Sequence, residues 1–191
     1  MLTKDQVSEI FITTGTIMEG HFRLTSGLHS GLYVEKFRVL EHPKYTEILC
    51  REIARRYENN GVTLVVGPAI GGVIIAYEVA RVLGVRSIFC EREEGKLVLR
   101  RGFQINPADR VLVVEDIVTT GSSVKEVLDV VASSGATIVG VGLLVDRSNG
   151  NVNLGYRTEA LLTMQVTTHQ PDDCPLCKQG LPVVKPGSRK I

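Results

Sequence analysis

Two adjacent acids near the middle of the chain stand directly before a run of hydroxyl-bearing residues. Glu115 and Asp116 follow the apolar run 111–114, and Thr-Thr-Gly-Ser-Ser occupies positions 119–123. Carboxylates can accept hydrogen bonds from sugar hydroxyls or help to place a hard cation such as Mg²⁺. Backbone N–H groups and hydroxyls at a helix start can cradle a phosphate monoester. The order of these groups therefore indicates a site for a ribose 5-phosphate.

Each half of this pattern also has an ordinary structural explanation. A Thr-Thr-Gly-Ser-Ser stretch is often only a loop with a helix cap, and paired acids at a strand end are often only solvated. The two features in this order, after a short apolar strand, are far more specific than either one alone.

Short apolar runs that alternate with helical segments must position these groups. Apolar periodicity predicts strands at 62–66, 86–90, 111–114, 137–145 and 160–166. It predicts four helices. The first ends near Gly15, the second runs from Pro43 to about residue 59, the third ends at Leu83, and the fourth spans 121–134. The alternation predicts an α/β fold with a mostly parallel sheet flanked by helices. Such sheets bind ligands at the carboxyl ends of their strands, where the two acids would lie.

Composition narrows the classes of protein that fit. The chain has 191 residues, 43% of them hydrophobic and 23% charged, so one domain with an ordinary core is expected. The formal net charge of +1 argues against a nucleic-acid partner. No apolar run approaches the roughly 20 residues that span a bilayer, so no membrane partner is expected. Cys50 and Cys90 lie in apolar segments typical of buried thiols, which favours a reducing, cytoplasmic location.

Residues 111–123 resemble the phosphoribosyl-pyrophosphate (PRPP) signature of the type I phosphoribosyltransferases, and the similarity runs from the first helix to about Arg147. Residues 24–30, residues 67–72 and the pair Asp146-Arg147 most resemble the members that use orotate. The resemblance implies a domain over 1–168 with a small N-terminal hood segment (1–40), followed by an irregular C-terminal tail (169–191). It implies transfer of the phosphoribosyl group from PRPP to orotate, giving orotidine 5′-monophosphate and pyrophosphate, in pyrimidine (UMP) biosynthesis with Mg²⁺ as cofactor.

The resemblance also assigns roles to residues. Glu115 and Asp116 would be catalytic and hold the ribose hydroxyls, while Mg²⁺ would be held mainly through substrate oxygens. The remaining PRPP-binding residues would be Ile117, Val118, Thr119, Thr120, Gly121, Ser122 and Ser123 around the phosphate, with Ala69, Ile70, Gly71 and Gly72 at the pyrophosphate. Arg147 and Thr119 would bind orotate, because a planar guanidinium can grip a carboxylate with two hydrogen bonds. The alternative for Arg147 is a surface side chain bonded to Asp146.

Several positions depart from the family pattern. Gly71 and Thr25 stand where many members have Lys, and the mobile loop, here 91–102, lacks its usual His. Within that loop Arg92 and Lys96 match two basic positions and are predicted to be catalytic. Lys96, Arg100 and Arg101 would be available as cations for the departing pyrophosphate. The alternative is that the loop is only a charged hairpin between two strands. In the family it reaches the neighbouring subunit's site, which implies a homodimer, and Lys36 is a further candidate from the hood segment.

The tail raises the question of a metal. His169, Cys174 and Cys177 are potential zinc ligands, but a structural zinc site needs four, so free thiols are the preferred expectation. Two other functions remain open: a type I enzyme for a purine or xanthine base, and a non-catalytic PRPP-sensing regulator. A purine needs no cation at Arg147, and a regulator of this kind usually carries an added DNA-binding module.

Overall fold

The central sheet of this computed structural model, which describes residues 1–24 and 26–186, is mostly parallel. Its strands are β3 (Leu64–Pro68), β4 (Arg86–Glu93), β5 (Lys96–Leu99), β6 (Arg110–Val118), β7 (Thr137–Asp146) and β8 (Thr158–Thr163). They lie in the order β5-β4-β3-β6-β7-β8, and every neighbouring pair is parallel except β4–β5. The predicted α/β class is therefore confirmed.

Helices cover both faces of this sheet. The helices α1 (Lys4–Thr13), α3 (Pro43–Tyr57) and α4 (Gly71–Leu83) share one apolar core with side chains such as Val65 and Leu112. Helix α5 (Ser122–Ser133) packs on the other face, against side chains such as Val66 and Val113. Alternate residues of β3 and β6 thus face opposite cores. This is why their sequences are continuously apolar rather than alternating.

A second, smaller sheet lies beside the main one. It consists of β1 (Ile17–Arg23), β2 (His29–Val34) and β9 (Thr168–His169), all antiparallel. We call it the small sheet. The four-residue helix α2 (Phe37–Leu40) follows β2 and leads back to the main core. Helix α1, although inside the predicted hood segment, packs on the main core through Val7 and Phe11.

The described part of the tail folds onto the small sheet. A 3₁₀ turn (Pro171–Asp173) and the short helix α6 (Pro175–Lys178) follow β9. Val184 then bridges to Phe22 of β1, with its N–H donating to the His21 carbonyl at 2.8 Å. The tail therefore contributes strands, turns and side chains to the same unit as β1 and β2.

Two local boundaries differ from the predictions in ways that matter for function. Strand β6 continues to Val118, so Glu115 and Asp116 lie inside the strand rather than after it. Residues 91–102 form a hairpin of β4 and β5 that turns at Glu94 and Gly95, both at positive φ. Leu97 in this hairpin is buried in the core on the α5 side of the sheet. The charged residues around it give no sign of this burial in the sequence. None of the helices that the described residues form is long and apolar enough to cross a membrane.

Candidate active site

The carboxyl ends of β3, β6 and β7 meet at one end of the main sheet and bring the predicted site residues together. We call this region the strand-end site. Val118 of β6 is in register with Asp146 of β7, so Thr119 and Arg147 follow on adjacent strands. The Arg147 N–H donates to the Val118 carbonyl at 2.8 Å, which fixes the two loops side by side.

The segment after β6 lines a small pocket at the start of α5. Its lining is Glu115 and residues 117–124. Gly121 has φ +78°, and a Cβ there would lie 2.7 Å from Cγ1 of Val152, so only glycine fits. Gly121, the residue before α5, has no side chain to cap the helix, and the first turn carries no acid. The side chain of Thr120 reaches this turn only through a long hydrogen bond, 3.5 Å from the Ser122 N–H to its Oγ1. The N–H groups of this turn therefore remain available to an anion, together with the hydroxyls of Thr120 and Ser122.

The two acids behind this pocket are almost completely buried. Glu115 is 7% exposed and Asp116 is 1% exposed. Burial, together with the negative charge of Asp116, raises the pKa of the Glu115 carboxyl above its ordinary value. The Asp116 N–H donates to Oε1 of Glu115 at 3.0 Å, so the two side chains form one unit.

Lys36 supplies the positive charge beside these acids. Its Nζ lies 3.0 Å from Oδ1 and 2.8 Å from Oδ2 of Asp116. The Ile117 N–H donates to the same Oδ1 at 2.6 Å, whereas Oδ2 has no hydrogen-bond partner of good geometry among the described residues. Lys36 follows β2, so the small sheet positions it beside the end of the main sheet. Nothing local connects positions 36 and 116, so neither segment alone predicts this contact.

The loop between β3 and α4 closes tightly around Asp116. A Cβ on Gly71 would overlap the Asp116 carboxylate, and one on Gly72 would lie 2.8 Å from Cδ of Pro68. Ala69 and Ile70 are exposed, and the peptide bond between them is cis. No described side chain caps α4, which begins at Gly71. This backbone thus explains why glycine stands where many members of the family carry lysine.

Arg147 lies half-buried at the end of β7 with unused hydrogen-bonding capacity. Its Nε is buried and has no partner among the described residues. Burial lowers the pKa of its guanidinium, while the nearby Tyr33 acts in the opposite direction. Asp146 is occupied instead by the N–H groups of Ser148 and Gly150, at 2.7 and 3.0 Å. The alternative of a surface arginine bonded to Asp146 is therefore wrong.

The three arginines of the 91–102 hairpin are held by acids of their own chain. Arg92 forms two hydrogen bonds, of 2.9 and 3.2 Å, with the carboxylate of Glu126 on α5. Glu126 also accepts the Leu97 N–H at 2.9 Å, so it clamps the hairpin to α5. Arg100 and Arg101 pair with acids of β4, at positions 91 and 93. Lys96 is exposed and makes no ion pair with any described residue. The catalytic roles of Arg92 and Lys96 stay predictions.

Known proteins resemble this chain over its whole length. Residues 38–169 match the family described as phosphoribosyl transferase domain. The orotate phosphoribosyltransferases of Pelotomaculum thermopropionicum and Desulforamulus reducens are each 60% identical over 190 residues, covering 100% of both sequences. The crystal structure of orotate phosphoribosyltransferase from Aeropyrum pernix has a TM-score of 0.69 at 24% identity, over 83% of this chain and 93% of that one. This last likeness is one of fold.

Proposed function

The chain belongs to the orotate phosphoribosyltransferases of the phosphoribosyl transferase family, and from this we propose that its strand-end site transfers the phosphoribosyl group of PRPP to orotate. A bond forms between the orotate ring nitrogen and C1′ of the ribose, the C1′–oxygen bond to pyrophosphate breaks, and the ring nitrogen loses its proton. The observation that carries the choice of base is the buried, unpartnered Nε of Arg147 next to the phosphate pocket. Orotate is an anion whose carboxylate suits a guanidinium.

The chain's own groups match the charges that develop in this reaction. Positive charge develops on the ribose as pyrophosphate leaves, so the carboxylate of Asp116, with Glu115 beside it, stabilises the sugar electrostatically. The same oxygens accept hydrogen bonds from the ribose hydroxyls. The uncapped start of α5, from Thr119 to Ser123, binds the 5′-phosphate. Holding the sugar at both ends brings C1′ to the base without further ordering.

The loop of residues 69–72 is proposed to bind the leaving pyrophosphate. Its glycines bring the backbone against Asp116, so N–H groups rather than side chains face the leaving group. Lys36 lies at the same carboxylate and adds a positive charge at the junction of ribose and pyrophosphate. We assign Lys36 the charge that a lysine at position 71 would otherwise supply. Thr119, adjacent to Arg147, is proposed as a second contact for orotate.

Mg²⁺ is the proposed cofactor. The donor set fits a hard cation, because the buried carboxyl groups of Asp116 and Glu115 lie side by side and Oδ2 of Asp116 is met only by the Lys36 ammonium among the described residues, at 2.8 Å. The ion would be held mainly by substrate oxygens, with these carboxylates beside it. When bound, it supplies positive charge to the pyrophosphate as it leaves.

We propose further that residues 1–168 form the catalytic domain of a homodimer in which the 91–102 hairpin serves the neighbouring site. Lys96 supports this proposal, since it is exposed and unpaired among the described residues while Arg92 is held by Glu126. The proposed location is cytoplasmic, in keeping with the free thiols of Cys50 and Cys90.

Mixing two inactive variants tests the shared site. A chain with Asp116→Asn and a chain with Lys96→Ala are expected to be poorly active alone. If the hairpin acts across the dimer, refolding them together gives mixed dimers with one intact site, and about a quarter of wild-type activity returns. No recovery in verified mixed dimers would show that each hairpin serves its own chain.

Orotate consumption, followed by ultraviolet absorbance with PRPP and Mg²⁺, tests the reaction itself. Arg147→Ala should lower kcat/KM for orotate by about 30- to 5,000-fold, because losing one partner of a buried charged pair costs about 2–5 kcal/mol. The KM for PRPP should change little. Arg51→Ala is the matched control, since Arg51 is an exposed arginine that pairs only with Glu47 among the described residues.

The outcomes separate the remaining functions. Full orotate turnover by Arg147→Ala would contradict the account of base choice while leaving the reaction intact. Turnover with a purine or xanthine base in place of orotate would assign the chain to another branch of the family. Absence of turnover with every base, with PRPP still bound, would favour the sensing regulator.

A further inference from the structure

Four potential metal ligands from opposite ends of the sequence converge at the small sheet. His21 lies on β1, His29 begins β2, Cys174 precedes α6, and Cys177 lies within α6. One ligand atom from each lies within 4.8 Å of all the others. We call these residues the His-Cys cluster. His169, the histidine that sequence analysis paired with the two cysteines, lies outside the cluster and instead pairs with His29 along the strands.

Most of the measured separations between ligand atoms are close to those of a tetrahedral site, and the two histidine nitrogens lie somewhat closer. Nε2 of His21 lies 2.9 Å from Nδ1 of His29, 3.5 Å from Sγ of Cys174 and 3.7 Å from Sγ of Cys177. Sγ of Cys177 lies 3.3 Å from Nδ1 of His29. Bonds of about 2.0–2.1 Å to nitrogen and 2.3 Å to sulfur place tetrahedral ligands about 3.3–3.8 Å apart. A zinc ion at the centre thus needs only small movements of the side chains.

A hydrogen bond outside the cluster orients one of the histidines. Nδ1 of His21 lies 2.8 Å from the carbonyl oxygen of Leu181, so this nitrogen carries the proton and donates it. In the neutral imidazole the lone pair is then on Nε2, which faces the other three groups. Metal-bound histidines commonly donate their second N–H to a backbone carbonyl in this way.

Hydrogen bonding alone does not account for the cluster. The single lone pair on Nε2 of His21 can accept one good hydrogen bond, yet one ring nitrogen and two sulfurs approach it. A disulfide between Cys174 and Cys177 would use both sulfurs and leave the convergence of the histidines unexplained. A zinc ion satisfies all four groups at once, and two thiolates balance its charge. His21, His29 and Cys174 are buried, where such compensation matters most.

We propose that His21, His29, Cys174 and Cys177 bind one Zn²⁺ ion in a closed structural site. Four protein ligands leave no position for substrate or water, which distinguishes a structural zinc site from a catalytic one. The ion joins the tail to β1 and β2 across 145 to 156 residues of sequence. Tyr33 lies further along β2, and Lys36 follows the end of that strand. The ion therefore also stiffens the segment that reaches the strand-end site.

Metal analysis of the intact chain tests this site. The protein is produced with zinc in the medium, purified under reducing conditions without chelator, and assayed by elemental analysis. The wild type should hold about one zinc ion per chain, and Cys177→Ser should lose most of it. His169→Gln is the matched control, because it removes a histidine of the same tail that lies outside the cluster, and it should keep the zinc.

Replacement of zinc by Co²⁺ supplies a second readout that does not depend on whether a variant folds well. Two thiolates and two imidazoles around Co²⁺ give the visible bands of a tetrahedral site and thiolate-to-metal absorption in the near ultraviolet. Wild type and His169→Gln should show both features. A wild-type chain that holds no zinc and gives no such Co²⁺ spectrum would overturn the proposal. Zinc retained in full by Cys177→Ser would do so as well, since the ion would then lie elsewhere.

Discussion

The strand-end site and the His-Cys cluster are built from the sequence in opposite ways. The acids and the phosphate pocket occupy one contiguous stretch, residues 115–124, at the end of β6 and the start of α5. The cluster joins two histidines to two cysteines that lie 145 to 156 positions further along the chain. The first is fixed by local geometry inside a core that is closed on both faces. The second depends on the tail folding back onto a small sheet.

This difference suggests a division of labour between the two regions. The main sheet needs no metal to hold its shape, because two apolar cores enclose its strands. The small sheet has three strands, one of only two residues, and little core of its own. A few strands without a sizeable core are marginal in water, so a metal site there has a physical reason. Variants aimed at each region should therefore fail in different ways.

The largest expected effect comes from the buried acid of the strand-end site. Asp116→Asn removes the negative charge beside the developing cation and should lower kcat by about 100- to 1,000-fold, with zinc content unchanged. Steady-state kinetics and metal analysis on the same preparation measure both. Asp129→Asn, at an exposed aspartate of α5, is the control and should behave as wild type. A loss of zinc in Asp116→Asn would show that the two regions are not separable.

The second-largest effect on activity is expected from a methyl group added at Gly71 of the strand-end site. In Gly71→Ala the new Cβ would overlap the Asp116 carboxylate, so the acid or the loop must shift. A displacement of this kind should lower kcat/KM by about 10- to 100-fold. Gly31→Ala in β2 is the control, because its Cβ would meet nothing closer than Leu176 at 3.8 Å. Equal activity in the two variants would contradict the tight packing described for the pyrophosphate loop.

Zinc removal should act mainly on the small sheet and the tail. Treatment with a chelator is expected to raise the rate of proteolysis within residues 169–186 by about tenfold, while amides of β3 and β6 keep their protection from hydrogen exchange. Orotate turnover should fall only a few-fold, through the looser approach of Lys36. Mass spectrometry of the fragments and of exchanged amides measures both regions at once. Loss of protection throughout β6 would mean that the main core also depends on the metal.

The smallest effect on activity is expected at Glu52, which anchors the N-terminal end of the chain to α3. Hydrogen bonds from Arg55, with further ones from the Leu2 N–H and Arg56, lower the pKa of its carboxyl from 4.5 to about 2. The ionised form therefore stabilises the fold above pH 4.5, and this contribution is lost as the pH falls toward 2. Glu52→Gln should lower the free energy of unfolding at pH 7 by about 1–3 kcal/mol.

Denaturation at several pH values measures this contribution. The difference between wild type and Glu52→Gln should shrink steadily between pH 5 and pH 2, with turnover at neutral pH unchanged. A difference that stays constant over this range would show that the charge of Glu52 is not the cause. Glu9→Gln, at an exposed acid of α1, provides the control.

Much of the strand-end site could be read from the sequence because its causes are local. An apolar run, two acids and a glycine-containing hydroxyl loop impose a strand, a turn and a helix start in that order. The C-terminal end of β6 was not predicted, because acids rarely continue a buried strand. Here Lys36 and the Ile117 N–H offset the buried negative charge of Asp116. The contact of Lys36 with Asp116 spans 80 residues and leaves no local trace.

The small sheet and the tail were harder to predict for the same reason. His21 and His29 stand in a segment of strands and turns, and only the return of the chain through β9 and Val184 brings the cysteines to them. Seven residues between two histidines, with a later Cys-x-x-Cys pair, could have indicated four ligands. The burial of Leu97 within 91–102 could not be predicted, because it results from the antiparallel pairing of β5 with β4 and the neighbouring residues are charged.

The ion pair between Lys36 and Asp116 gives the strand-end site a resident counter-ion. The ammonium group lies on the carboxylate that the ribose and its metal ion would approach. Substrate that arrived with its own cation would exchange one positive partner of Asp116 for another, rather than neutralise a bare charge. The displaced lysine can then turn to the pyrophosphate. We therefore expect PRPP to bind weakly without a divalent cation, because Lys36 would leave the Asp116 carboxylate with no positive charge to replace it.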